Sequence, residues 1–203
     1  GTMFGLVTGI VVAKALGPVG KGEFSGLALL QSGASSIISG FGASITYFLS
    51  RHKRPAADLV PPLLAIFVML SVLQPALLLL WGWRFGMTQV LVVFAATSPA
   101  TVIVAWQQGI YLGLDRVASL NSQILGFSVV MLIAVSAAMS AHLGVSGALW
   151  AWSVCTYGAA AVIVIRAANA LRGKPAWDFR TAIREVTRYA AGTSGFNVLG
   201  FFN

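Results

Sequence analysis

The sequence predicts an all-α membrane protein, a polytopic bundle of six transmembrane helices plus the start of a seventh. Three observations predict it. Only 9% of the 203 residues are charged and 58% are hydrophobic, whereas a soluble domain carries about 25% charged residues. No Asp, Glu, Lys or Arg occurs in 24–50, 59–83, 85–114 or 117–165. The basic residues between these intervals form loops that alternate between sparse and rich.

Each element follows from those intervals. A crossing needs about 20 mostly apolar residues at about 1.5 Å rise each. Residues 4–13 read as the tail of a first span, and 24–50, 59–83 and 85–114 as the second, third and fourth. The interval 117–165 is too long for one crossing. His142 and the following "LGVSG" supply turn chemistry, which divides it into spans at about 117–141 and 145–168. Residues 189–203 open a seventh. The long unbroken apolar runs exclude barrel strands, which alternate over about 10 residues. In lipid such a run satisfies its backbone only as a helix. Both ends of the sequence fall in would-be membrane helices, so the expectation is a portion of a larger transporter-like protein. Its parts are an N-terminal six-helix lobe over 1–171 with an incomplete first helix, a cytoplasmic amphipathic linker over 172–188, and the start of a second lobe over 189–203. No basic region precedes the first apolar run, which argues against a cleaved signal peptide.

Orientation follows from the cations. Loops one, three and five carry Lys14, Lys21 and Arg84. Loops two, four and six carry Arg51, Lys53, Arg54, Arg116, Arg166, Arg172, Lys174, Arg180, Arg184 and Arg188. The richer set belongs in the cytoplasm, which places the N-terminus there too and makes 13–24, "AKALGPVGKGEF", an outside turn. Trp81, Trp83, Trp150 and Trp152 fall at the outer interface in this topology, where amphipathic rings settle. The net charge of +8 reflects this bias. Its division among loops speaks against nucleic-acid binding.

Within the spans, Ser32, Ser36, Gly40 and Ser44 recur every fourth residue and allow close helix approach. Pro75 and Pro99 each remove a backbone donor inside a span, which suits a hinge or cavity but also occurs in inert bundles. In 172–189, "RGKPAWDFRTAIREVTRY", Asp178 is placed to cap a helix. Phe179, Ala182, Ile183, Val186 and Ala190 form an apolar stripe, and Arg180, Arg184 and Arg188 a basic one. This reads as an amphipathic helix on the anionic inner leaflet that feeds the seventh span.

Catalytic chemistry is not indicated. The lone Cys155 reads as a small hydrophobe in a span. His52 and His142 fall in loops on opposite sides and cannot share a metal. The Gly-Lys pair in "GPVGKGEF" follows no strand, so it is not a phosphate loop. No carboxylate is expected at mid-membrane. The protein is read as a non-enzyme that uses neither metal nor cofactor. Polar residues gather at span ends. Lys14, Lys21 and Arg84 are either snorkelling interfacial anchors or anion contacts. Gln107, Gln108, Tyr111, Asp115 and Arg116, followed by Asn121 and Gln123, are either interhelical hydrogen bonds and caps or the lining of a cavity for a polar or phosphorylated substrate.

Four pieces in register resemble a known family. "AKALGPVGKGEF" resembles the "A-(R/K)-x-L-G-P-x-x-x-G-x-F" turn of bacterial polysaccharide exporters. "GASITYFLSR" at 42–51 resembles the end of their second span. "QGIYLGLDRVASLN" at 108–121 resembles their "G-x-x-x-G-x-x-R-x-x-x-x-N" junction, and 183–203 resembles the start of their seventh span. The family is the oligosaccharide flippases of the multidrug/oligosaccharidyl-lipid/polysaccharide exporter superfamily. The resemblance implies two six-helix lobes around a V-shaped cavity and alternating-access transport of an isoprenoid-diphosphate-linked glycan across the bacterial inner membrane. Lys14, Arg84 and Arg116 are then candidate contacts for the charged head, with Gln107, Gln108, Tyr111 and Asn121 beside them. The region "GLVTGIVV" lacks the Arg-Asp pair of lipid-II flippases, which argues against a peptidoglycan-precursor role. The alternatives are an antiporter of the multidrug branch and a membrane-embedded glycan polymerase or glycosyltransferase.

Overall fold

The structure is a computed structural model that describes residues 38–85, 89–168 and 177–202, with isolated positions before 38. Among them every regular element is helical. Helix α1 covers 38–51 and ends in a π-helical turn, Tyr47–Arg51. It is followed by α2 (Ala56–Phe85), α3 (Gln89–Gly113), α4 (Val117–Ser140), α5 (Gly144–Ala168) and α6 (Phe179–Phe202). Four helical segments are long and apolar enough to cross a membrane, Ala56–Ala76, Gln89–Gly113, Val117–Ser140 and Gly144–Arg166. The chain is therefore a multi-pass membrane protein. The predicted first span, apart from Ile10, and most of 24–37 in the predicted second lie outside the described residues.

Helix α3 is the centre of the bundle and packs against α2 and α5, while α4 sits outside against α5. Its sequence explains the position. Ala95, Thr97, Ser98, Ala100 and Thr101 are all buried, and small residues let helix backbones approach in a setting where lipid gives no hydrophobic drive between helices. Threonine and serine then bond across the gap. Thr97 and Ser153 share a hydrogen bond of 2.7 Å between α3 and α5, and the Tyr157 hydroxyl donates to the Ala96 carbonyl at 2.6 Å. Both α2 and α3 continue through Pro75 and Pro99.

Two turns end in left-handed residues. Asp115 has φ 56° and His142 has φ 55°. In each the chain folds back on the helix it leaves: the Arg116 N–H donates to the Tyr111 carbonyl at 2.7 Å, and the Leu143 N–H to the Ala138 carbonyl at 3.1 Å. These 6→1 bonds are the C-terminal closure that satisfies otherwise orphaned carbonyls.

The helix ends sort into two levels. Leu49 lies against Gly113, Arg54 sits 4.8 Å from the Trp177 ring centre, and Arg116 bonds the Arg166 carbonyl. The α1–α2 loop, the α3–α4 turn, the end of α5 and the start of α6 therefore share one end of the bundle. Gln89 bonds Ser146 at the other end, beside the α4–α5 turn with His142. Arg51, Lys53, Arg54, Arg116 and Arg166 are thus gathered at a single end.

Helix α6 differs from its predicted form. Residues 179–202 are one helix, so the expected boundary at 188/189 falls inside it. Its apolar stripe is covered by protein in part, with Phe179 exposed and Ile183 half-buried. Ala182, Val186 and Ala190 are buried, with Val186 in a core cluster that includes Ile38, Ile45 and Phe48 of α1. An apolar stripe on a helix reads alike whether lipid or protein covers it. Arg180, Arg184 and Arg188 remain exposed. Asp178 caps α6 as expected, accepting from both the backbone N–H and the hydroxyl of Thr181 at 3.0 Å.

Candidate functional site

Helix α1 is held between two neighbours by contacts that exclude side chains. On one face a Cβ at Gly40 would lie 2.1 Å from the Ser194 hydroxyl and 2.6 Å from the Ala190 carbonyl of α6. Ser44 donates to the Val186 carbonyl at 3.2 Å and Thr193 to the Gly40 carbonyl at 3.2 Å. Of the Ser32–Ser44 stripe, Gly40 and Ser44 are thus packing surface. On another face a Cβ at Gly109 would lie 2.0 Å from the Gly42 carbonyl oxygen, and Thr46 donates to the Gly109 carbonyl at 3.3 Å.

Beside this crossing lies a cleft of about 580 Å³. From α1 it takes Ser39, Thr46, Tyr47, Ser50 and Arg51, from α3 Gln108, and from α6 Tyr189. The α1 residues recur at three- and four-residue steps and so line one face. The π-helical turn widens the last part of that face, where Tyr47, Ser50 and Arg51 stand; such turns recur at functional sites. Tyr47 stacks on Tyr189 with ring centres 4.3 Å apart and planes at 20°. His52, Phe48 and Trp177 continue the aromatic cluster behind them. The cleft presents hydroxyls, an amide, aromatic faces and, at the cation-rich end, one guanidinium. That set hydrogen-bonds polyols, stacks against flat apolar faces and attracts anions.

The sequence candidates divide. Gln108 lines the cleft and is exposed. Tyr111 does not line it: the side chain is fully buried and its hydroxyl bonds Gln123 Oε1. Gln123 Nε2 in turn donates to the Ala159 carbonyl at 3.0 Å, so Tyr111 and Gln123 tie α3, α4 and α5 together. Arg116 donates to the Arg166 carbonyl at 2.9 Å and closes the end of α5. Gln107 is half-buried, and Asn121 and Lys14 are exposed. The Arg84 side chain and most of 13–24 lie outside the described residues.

Sequence reasoning did not propose Ser39, Thr46, Tyr47, Ser50, Arg51 or Tyr189 as site residues, and read Arg51 only as a loop cation. A signal existed, because the polar positions 39, 46 and 50 form a second stripe on α1 next to the one at 40 and 44. The carboxylate expectation needs one amendment. Asp58 is 2% exposed in the first turn of α2, buried but near the cation-rich end. Among the described residues no three His, Cys, Asp or Glu side chains come together as a metal site.

No protein-family model matches this chain, and neither a curated protein nor a solved structure is significantly similar to it. The fold defines the class as an all-helical, multi-pass membrane protein.

Proposed function

We propose that the chain belongs to a transporter of the oligosaccharide-flippase kind, with six transmembrane helices in its N-terminal lobe and α6 leading into a second. It carries an isoprenoid-diphosphate-linked glycan across the bacterial inner membrane, and the end bearing Arg51, Arg54 and Arg116 faces the cytosol. The single observation that carries this reading is the cleft between α1, α3 and α6. A diphosphate in hydrocarbon is prohibitive unless a polar, cationic path receives it. Arg51 stands at the cation-rich mouth of a cleft whose polar lining is the hydroxyls of α1, Gln108 and the Tyr47–Tyr189 pair, set among Ala43, Ala105 and Leu112. Hydroxyls and aromatic faces suit sugar rings, and the guanidinium suits a phosphate.

The test is surface-glycan display by cells whose full-length protein carries Arg51→Ala, Gln108→Ala or Tyr47→Ala, with Arg116→Ala beside them. Loss of one charge-assisted contact is expected to lower transport by about tenfold in Arg51→Ala. Arg116→Ala is expected to act mainly through protein level, because that side chain closes a helix end. Normal display in all three cleft variants at normal protein level would remove the proposal.

A further inference from the structure

A second groove lies on the outer side of the bundle between α4 and α5. It has a volume of about 480 Å³ and is lined by Ser122, Gly126, Phe127, Cys155, Gly158 and Arg166 among others. Two glycines make it. A Cβ added at Gly126 or Gly158 would meet nothing within 4 Å, so the hollow exists because both helices lack a side chain there. The walls below Arg166 are apolar, with Val130, Val154 and Val162 on the flanks. From Arg166 to Val154 the groove follows α5 for about 18 Å at the helical rise.

Its polar end is cationic. Arg166 lines the groove and donates to Ser122 Oγ at 3.4 Å. Arg116 donates to the backbone carbonyl of Arg166 at 2.9 Å and is not part of the groove lining. Both side chains are exposed, and among the described residues neither guanidinium meets a carboxylate. The arrangement is an apolar channel in the membrane region with the Arg166 guanidinium at its mouth, at the end of the bundle where the other cations gather.

We infer that this groove is a binding site for an anionic glycerophospholipid, whose phosphate is held by Arg166 and one of whose acyl chains lies over Gly126 and Gly158. Charge complementarity selects the anionic headgroup, and the depth of the groove selects a chain. Neither feature belongs to the cleft proposed for transport, so this site stands or falls separately.

The chain carries its own reporter. Cys155 is the single cysteine in the sequence and forms part of the groove wall. The purified, delipidated protein in detergent is titrated with phosphatidylglycerol, phosphatidylcholine or chain-free glycerophosphate. Bound lipid is read by native mass spectrometry and groove occupancy by the alkylation rate of Cys155. Phosphatidylglycerol is expected to remain bound and slow alkylation, phosphatidylcholine to bind about fivefold or more weakly, and glycerophosphate to do nothing. Arg166→Gln is expected to weaken phosphatidylglycerol about fivefold. Gly158→Leu puts a side chain into the groove from a position where a Cβ meets nothing within 4 Å, and is expected to abolish the adduct at unchanged melting temperature. Equal retention of the two lipids, or retention unchanged in both Arg166→Gln and Gly158→Leu, would overturn the site. Protection by glycerophosphate alone would reduce it to a free-phosphate site.

Discussion

At the scale of single residues, much of the polar chemistry in this chain is spent on joining helices. Tyr111, Gln123 and Arg116 looked equally suited to a substrate, and each bonds a neighbouring helix or helix end. Nothing in the sequence distinguishes these fates, because a glutamine that meets a carbonyl and one that meets a cleft have the same neighbours along the chain. Asp178 was legible, since a capping acid needs only its own first turn. The two hydrogen bonds from Thr181, backbone first, hold its carboxyl below the usual carboxylate range. A depressed carboxylate contributes stability that is present above its unfolded pKa and is lost as pH falls through the folded one. Asp178→Ala is therefore expected to speed hydrogen exchange at the Thr181 and Ala182 amides near neutral pH. Wild-type exchange is expected to approach the variant's only in acid, after correction for intrinsic rates. Equal protection in the two proteins at neutral pH would refute the capping role.

At the scale of elements, charge-free intervals predicted the helices closely because a membrane span is set by length and composition alone. The expected spans at about 117–141 and 145–168 correspond to Val117–Ser140 and Gly144–Ala168. Pairing between elements was less legible. The stripe containing Gly40 and Ser44 and the stripe containing Ser39, Thr46 and Ser50 are equivalent on a helical wheel. Only the position of α6 makes one of them packing and the other lining. The α1–α3 crossing yields a sharp expectation. Gly109→Val places a side chain where the Gly42 carbonyl stands, and such overpacking costs about 1–3 kcal/mol or more. Gly126→Ala meets open space and is expected to change stability by no more than about 1 kcal/mol, in the stabilising direction. Melting temperatures of the two variants in one detergent check the contrast. A Gly109→Val protein as stable as the wild type would mean that α1 and α3 do not cross there.

At the scale of the whole molecule, the sorting of loops into two sets was read from cations and the described helices agree with it. Arg54 reaches Trp177, and Arg116 reaches Arg166, across segments far apart in sequence. Single-cysteine variants Lys53→Cys and His142→Cys, each in a Cys155→Ala background, are expected to react with an impermeant maleimide from opposite faces of the membrane. With the cation-rich end cytosolic, His142→Cys reacts in intact spheroplasts and Lys53→Cys only after permeabilisation. Labelling of both from one face would contradict the fold, and the reverse order would contradict the proposed orientation alone.

Two pairs of glycines among the described residues stand in contrast. A Cβ at Gly40 or Gly109 would run into the backbone of the neighbouring helix, while Gly126 and Gly158 border open space. In a saturation-mutagenesis library the first group would tolerate almost no replacement. The second would accept most apolar side chains as far as folding is concerned, and would show selection only when lipid composition is varied. Substitution tolerance at these four positions would thus tell the sealed seams of the bundle from its outward-facing furrow without any further structure determination.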